Sequence, residues 1–177
     1  MIGPLARAAL VLSLLLSPTS FSATLIHSND VMGDIEPCGC RTNPQGGMTR
    51  KGNLLSKLPD TSLLQVDAGD LLFSSNTLPE LLSKQSELQA SFLLRSMDLL
   101  KHDVVVPGEK DFALGVTVFD RLRKKSITRF FAANLTRRNG KPFLEKSAIF
   151  VRKDVSGKPI KIGVIGLRGA VVLGVLM

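Results

Sequence analysis

From Thr24 onward, short apolar runs of strand character alternate with longer runs of helical spacing, and this alternation confines the chain to the α/β class. Strands are expected at Thr24 to Ser28, Ser62 to Val66, Asp103 to Val106 and Thr128 to Ala133, the third stopped by Pro107-Gly108. Ser147 to Arg152 and Ile160 to Ile165 read as two further strands around a Ser156-Gly157 turn. Met48 to Leu58 predicts a helix with Leu54, Leu55 and Leu58 inward, ended by Pro59. Thr77 and Glu80 form the pattern of a capping box. After it Leu81, Leu88, Phe92 and Leu99 recur at helical spacing, widened by Leu93, Met97 and Leu100, so one long helix or two in sequence are expected. Val116 to Lys125 reads as another helix, and His102 as a cap on the end of the helix before it. The polar stretch from Asn29 to Gly47 is a long loop of the kind that carries function.

A chain of 177 residues with 44% hydrophobic and 21% charged residues is one domain or a piece of one, neither disordered nor collagen-like. Its net charge of +8 suits an acidic partner. Nucleic acid is not the expected one, because the basic residues are scattered and the chain has 9 Phe but no Trp or Tyr for a stacking platform.

Residues 1–22 read as a signal peptide. Arg7 is the only charged side chain before Asp30, and the apolar run from Ala8 to Leu16 is shorter than the roughly 20 residues a spanning helix needs. Pro18 and the small-x-small sequence Ser20-Phe21-Ser22 follow, so cleavage is expected after Ser22 or Ala23. The product is an exported protein, periplasmic or extracellular, with no stable membrane anchor after cleavage.

Three strand ends carry acids in series: His27-Ser28-Asn29-Asp30, Asp67-Ala68-Gly69-Asp70 and Gly108-Glu109-Lys110-Asp111. In α/β sheets the carboxyl ends of the strands converge, and converging oxygens are what hard divalent cations bind. The other reading of each loop is an aspartate that caps the following helix or turn.

The blocks from Leu25 to Asp30, Leu63 to Asp70, Gly108 to Gly115, Phe131 to Leu135 and Lys161 to Leu167 together resemble the 5'-nucleotidase-type (calcineurin-like) metallophosphoesterases, in that family's order. The run Glu36-Pro37-Cys38-Gly39-Cys40, with Gly46-Gly47 and Arg50 after it, is similar to an exported bacterial branch that has Cys-Gly-Cys or its selenocysteine version beside the metal site. The resemblance implies a four-layer α/β sandwich, present here in part, and a dinuclear site of the manganese, zinc or magnesium class that hydrolyses phosphate esters of nucleotides. It implies Asp30 and Asp70 as metal ligands, Asp70 bridging. Glu109 stands in the third motif as a further possible metal oxygen, and Lys110 at the position of the family's catalytic histidine.

The departures are chemical. Met32 stands where the first motif has a histidine, and Lys110 is a cation that ligates only when deprotonated. A lysine there can instead neutralise Asp30, Asp70 and Glu109. The family's later histidine motifs have no counterpart after Leu167, so residues 23–177 are expected to be the N-terminal portion of such a domain, truncated, and weakly active or inactive. The apolar end from Ala170 to Met177 reads as a last buried strand or as the foreign end of a truncated frame.

Cys38 and Cys40 are the second chemical feature. In extended chain their α-carbons would lie about 6.6 Å apart, near the upper edge of disulfide geometry, and Gly39 permits the closing turn. A strained, reducible pair, thiolate metal binding and a plain export disulfide all remain open. The alternative function is therefore a non-hydrolytic thiol redox or metal-binding protein built on these two residues.

Overall fold

The structure is a computed structural model that describes residues 23–39, 42–154, 156–168 and 170–176, with side chains described as far as Arg168. The expected signal peptide and Cys40 lie outside the described residues. Among those described, no helix is long and apolar enough to cross a membrane.

Four strands form a parallel sheet in the order β1-β2-β3-β4: β1 (Thr24–Ser28), β2 (Leu63–Asp67), β3 (Val104–Val105) and β4 (Arg129–Phe130). Three helices link them: α1 (Met48–Leu55), α2 (Ser83–Leu99) and α3 (Val116–Arg123). β3 and β4 are shorter than the apolar runs suggested, but the bonds Val106 N–H to Asp67 O, 2.8 Å, and Phe131 N–H to Val105 O, 3.0 Å, carry the pairing past their ends. A second, antiparallel sheet has the order β5-β6-β7: β5 (Ser147–Lys153), β6 (Pro159–Leu167) and β7 (Ala170–Leu176). The apolar end of the chain is thus a strand, paired to β6 from Leu167↔Ala170 to Lys161↔Leu176.

Apolar residues on both faces of the parallel sheet explain the layering. One face, with Val105, Phe130 and Ala132, packs under Ala90, Leu93, Leu94 and Met97 of α2 and Phe119 and Leu122 of α3. The other, with Leu64, Val66, Val104 and Val106, packs against Ile160, Ile162 and Val164 of β6. Helices, parallel sheet and antiparallel sheet make three layers of the expected four-layer α/β sandwich. The outer face of the antiparallel sheet exposes Ile149, Val151 and Ile165.

Three local expectations are corrected. The row Leu81, Leu88, Phe92 and Leu99 faces solvent, because the neighbouring row through Ala90, Leu93 and Met97 meets the sheet. Leu54 is likewise exposed, leaving Leu55 as the buried residue of α1. No capping box forms at Thr77: a 3-10 turn over Glu80–Leu82 precedes α2, whose N-cap is Leu82 with no side-chain bond.

Candidate functional site

Because the four strands are parallel, their carboxyl ends share one rim, and the loops beyond them line a cavity of about 730 Å³. Asn29 and Asp30 enter it after β1, Gly69 and Asp70 after β2, Gly108 and Glu109 after β3, Asn134 after β4 and Arg168 after β6. The structure thus gathers Asp30, Asp70 and Glu109 at one place. Asn134 and Arg168 join them unanticipated, although both also follow strand ends. They hold each other: Arg168 N–H donates to Asn134 Oδ1 at 2.8 Å.

The first two loops are zipped along their backbones. Asp30 N–H donates to Gly69 O at 2.9 Å, Met32 N–H to Asp70 O at 2.9 Å and Gly33 N–H to Leu71 O at 2.8 Å. Asp30, Met32 and Asp70 sit in the left-handed region, at φ of 53°, 55° and 53°, a conformation that aspartate tolerates better than methionine does. The third loop comes so close that a Cβ on Gly108 would lie 2.1 Å from Asp70 Oδ1, and one on Gly69 2.6 Å from Gly108 N. Glycine is required at both positions to let the strand ends approach.

Two further aspartates brace the rim from beneath. Asp111, fully buried, accepts from Leu72 N–H at 2.7 Å and Gly108 N–H at 2.8 Å. Burial pushes its carboxyl up to about 6 against the pull of those two bonds. Asp67, also fully buried, accepts from Ser28 Oγ at 2.7 Å and Gly69 N–H at 2.9 Å, and burial raises its pKa. Lys51 Nζ lies 3.5 Å from both Ser28 Oγ and His102 Nδ1, and burial lowers its pKa against the attraction of Asp67. His102 is not a charged helix cap: its ring is buried beside Lys51, with Nε2 3.1 Å from Val104 O. Desolvation, reinforced by Lys51, holds it neutral, with a pKa of about 3. Asp67 and Asp111 stood among the strand-end acids, and their bonds to Gly69 and Gly108 match the turn-capping reading of those loops, but their burial, and the place of Lys51, had no signal in the sequence spacing.

Lys110 turns back into the rim. Its N–H donates to Asp70 Oδ1 at 2.9 Å, and its ammonium lies 3.4 Å from Asp70 Oδ2 and 3.6 Å from Met32 Sδ. Glu109 Oε1 meets the Arg168 guanidinium at 3.3 Å. Asp30 Oδ2 accepts from the Asn29 side chain. Two of the three carboxylates are therefore paired to cations. Among the described residues no group of three or more His, Cys, Asp or Glu is arranged to hold a metal ion. This donor set does not fit a two-metal centre.

Cys38 is exposed and is held by a two-way backbone bridge to Gln45, at 2.9 and 2.8 Å. With Asp30, Asp34, Glu36 and Lys51 it lines a separate cavity of about 290 Å³.

No family model and no curated protein matches the chain. Solved structures do. A 5'-nucleotidase precursor of Thermus thermophilus superposes with a TM-score of 0.62 at 24% identity, over 82% of this chain and 28% of that one. The NAD nucleotidase of Haemophilus influenzae gives 0.62 at 19%, over 81% of this chain and 26% of that one. A calcineurin-like phosphoesterase of Bacillus subtilis gives 0.60 at 20%, over 78% and 45%. The chain spans less than half the length of each of these proteins. Parallel sheet, strand-end cavity and antiparallel second sheet together give this chain the fold of the calcineurin-like phosphoesterases and 5'-nucleotidases.

Proposed function

We propose that the chain is an exported, phosphoester hydrolase-like protein that engages phosphate esters or nucleotides at the strand-end cavity and turns them over weakly or not at all. The observation that carries this reading is the Lys110 ammonium, 3.4 Å from Asp70 Oδ2, on ground that a bridging cation would need. An ammonium neutralises charge as a metal does, but it has no open coordination position with which to activate a water. The Lys110 ammonium and the Arg168 guanidinium are donors for phosphate oxygens, and Asn134 can add an amide. Export is supported by the short apolar run before Pro18 and by the small residues that follow it.

The test joins turnover to metal affinity. Hydrolysis of an aryl phosphate in added manganese should stay near background, and titration calorimetry should detect little manganese binding. Restoring the two histidines, as Met32→His with Lys110→His, should tighten manganese at least ~10-fold, since it removes a cation and adds two imidazole ligands. Vigorous turnover by the unaltered chain would refute the proposal.

The second reading, thiol chemistry at Cys38 and Cys40, is favoured by the exposure of Cys38 on the cavity that also contains Lys51. Differential alkylation across glutathione potentials tests it. A pair that opens in one two-electron step above about −300 mV supports a redox role, and independent labelling at every potential removes it.

A further inference from the structure

A second cavity, of about 580 Å³, adjoins the first and shares Leu135 and Arg168 with it. Its character differs. Where the strand-end cavity sets its carboxylates against Lys110 and Arg168, this one is lined by the guanidinium-bearing Arg137, Arg138 and Arg168, with no carboxylate among the described residues of its lining, over an apolar floor that includes Phe112 and Phe143. Among the described residues Arg168 alone of the three has a carboxylate partner, Glu109. A short hairpin fixes the arrangement: Thr136 bridges to Pro142, Arg137 N–H donates to Lys141 O at 2.8 Å, and Phe143 N–H to Leu135 O at 3.0 Å. The Arg137 guanidinium lies 4.9 Å from the centre of the Phe143 ring, so ring and cation hold each other in place before any ligand arrives.

We infer that this cavity is a binding site for an anionic group carried on an apolar or aromatic body, such as a second phosphate or a carboxylate of an organic phosphate whose ester lies in the strand-end cavity. Unpaired guanidiniums in a concave, partly apolar site bind phosphate and carboxylate oxygens in pairs, and the phenylalanine floor favours a body with apolar surface over a free inorganic ion. The inference deepens the phosphate-ester reading by naming the part of the ligand that lies outside the strand-end cavity. Its test uses binding without metal or hydrolysis, so the two can fail separately.

The probe is 1-naphthyl phosphate, titrated calorimetrically into the chain in excess chelator, with 1-naphthol and inorganic phosphate for comparison. The naphthyl ester should bind saturably and more tightly than either fragment. Arg137→Ser with Arg138→Ser, on an exposed turn outside the core, should weaken it at least ~10-fold, as loss of charged hydrogen bonds does. Phe143→Leu should weaken the ester ~3-fold or more and leave inorganic phosphate unchanged, with a thermal melt confirming the fold. Lys84→Ser with Arg95→Ser, which removes equal charge from exposed positions of α2, should change affinity less than ~2-fold. The inference is overturned if the folded chain shows no saturable binding, if the arginine pair can be removed without effect, or if the α2 pair costs as much.

Discussion

At the scale of single residues, the rim depends on groups whose charge differs from what their type suggests. His102 is the clearest, with a pKa of about 3 against 6.5 for an ordinary histidine. Between those values the unfolded chain binds the proton that the folded chain refuses, so the histidine's contribution to stability is present above pH 6.5 and is lost as pH falls toward 3. Asp111 acts in the other direction. Its raised pKa, about 6, means that stability is lost as pH rises from 3.8 through 6. Over their shared range each group changes its proton count by about one on folding, in opposite directions, so the two slopes largely offset and removing the histidine exposes its share. Chemical denaturation at a series of pH values should show that His102→Asn makes the dependence of stability on pH more negative between about pH 4 and pH 6 than in the unaltered chain. An unchanged slope in the variant would mean that the ring is already charged in the fold. The acids at the ends of strands one to three were legible because a parallel sheet brings those ends together. The place of Lys51 and the burial of Asp67 and Asp111 were not, since burial that changes a group's role comes from residues distant in sequence.

At the scale of elements, strands were easier to read than helix faces. β2 and β6 declare themselves through β-branched and leucine-rich runs bounded by turn residues. α2 carries two apolar rows, Leu88 with Phe92 and Leu99, and Ala90 with Leu93, Leu94 and Met97, and period alone ranks the one with larger side chains first. The sheet selects the other, where Ala90 permits close approach and Leu93 and Met97 are fully buried. Stability should follow the structure. Leu93→Ala should cost about 2–5 kcal/mol through lost burial and the cavity left behind, whereas Phe92→Gln and Leu88→Gln should each stay within about 0.5 kcal/mol. Urea melts of the three variants decide between the two faces. A costly Phe92→Gln would mean that a further layer covers the row.

At the scale of the whole molecule, the two sheets are joined at both ends. At the end away from the cavity, Arg152 of β5 bonds Leu63 O and the Asp103 carboxylate, each at 2.5 Å. At the cavity end the joint is steric: a Cβ on Gly166 would come within 2.6 Å of both Cβ and O of Phe131, while Gly166 O accepts from Ala133 N–H at 2.7 Å. Two residues beyond Gly166 stands Arg168, which lines both cavities and touches Glu109 and Asn134. Sheet packing and ligand contacts thus meet in one short stretch of β6 and the turn after it. Gly166→Ala should push the strands apart where neither has a flexible side chain to yield, at a cost of about 1–3 kcal/mol, and should displace Arg168 from its partners. Both effects are measurable: a lowered melting temperature, and weaker binding of an organic phosphate than in a variant placed elsewhere that loses as much stability or more, such as Leu93→Ala. If the two variants lose affinity equally, the loss reflects general softening, and the Gly166 contact does not set the position of the arginine.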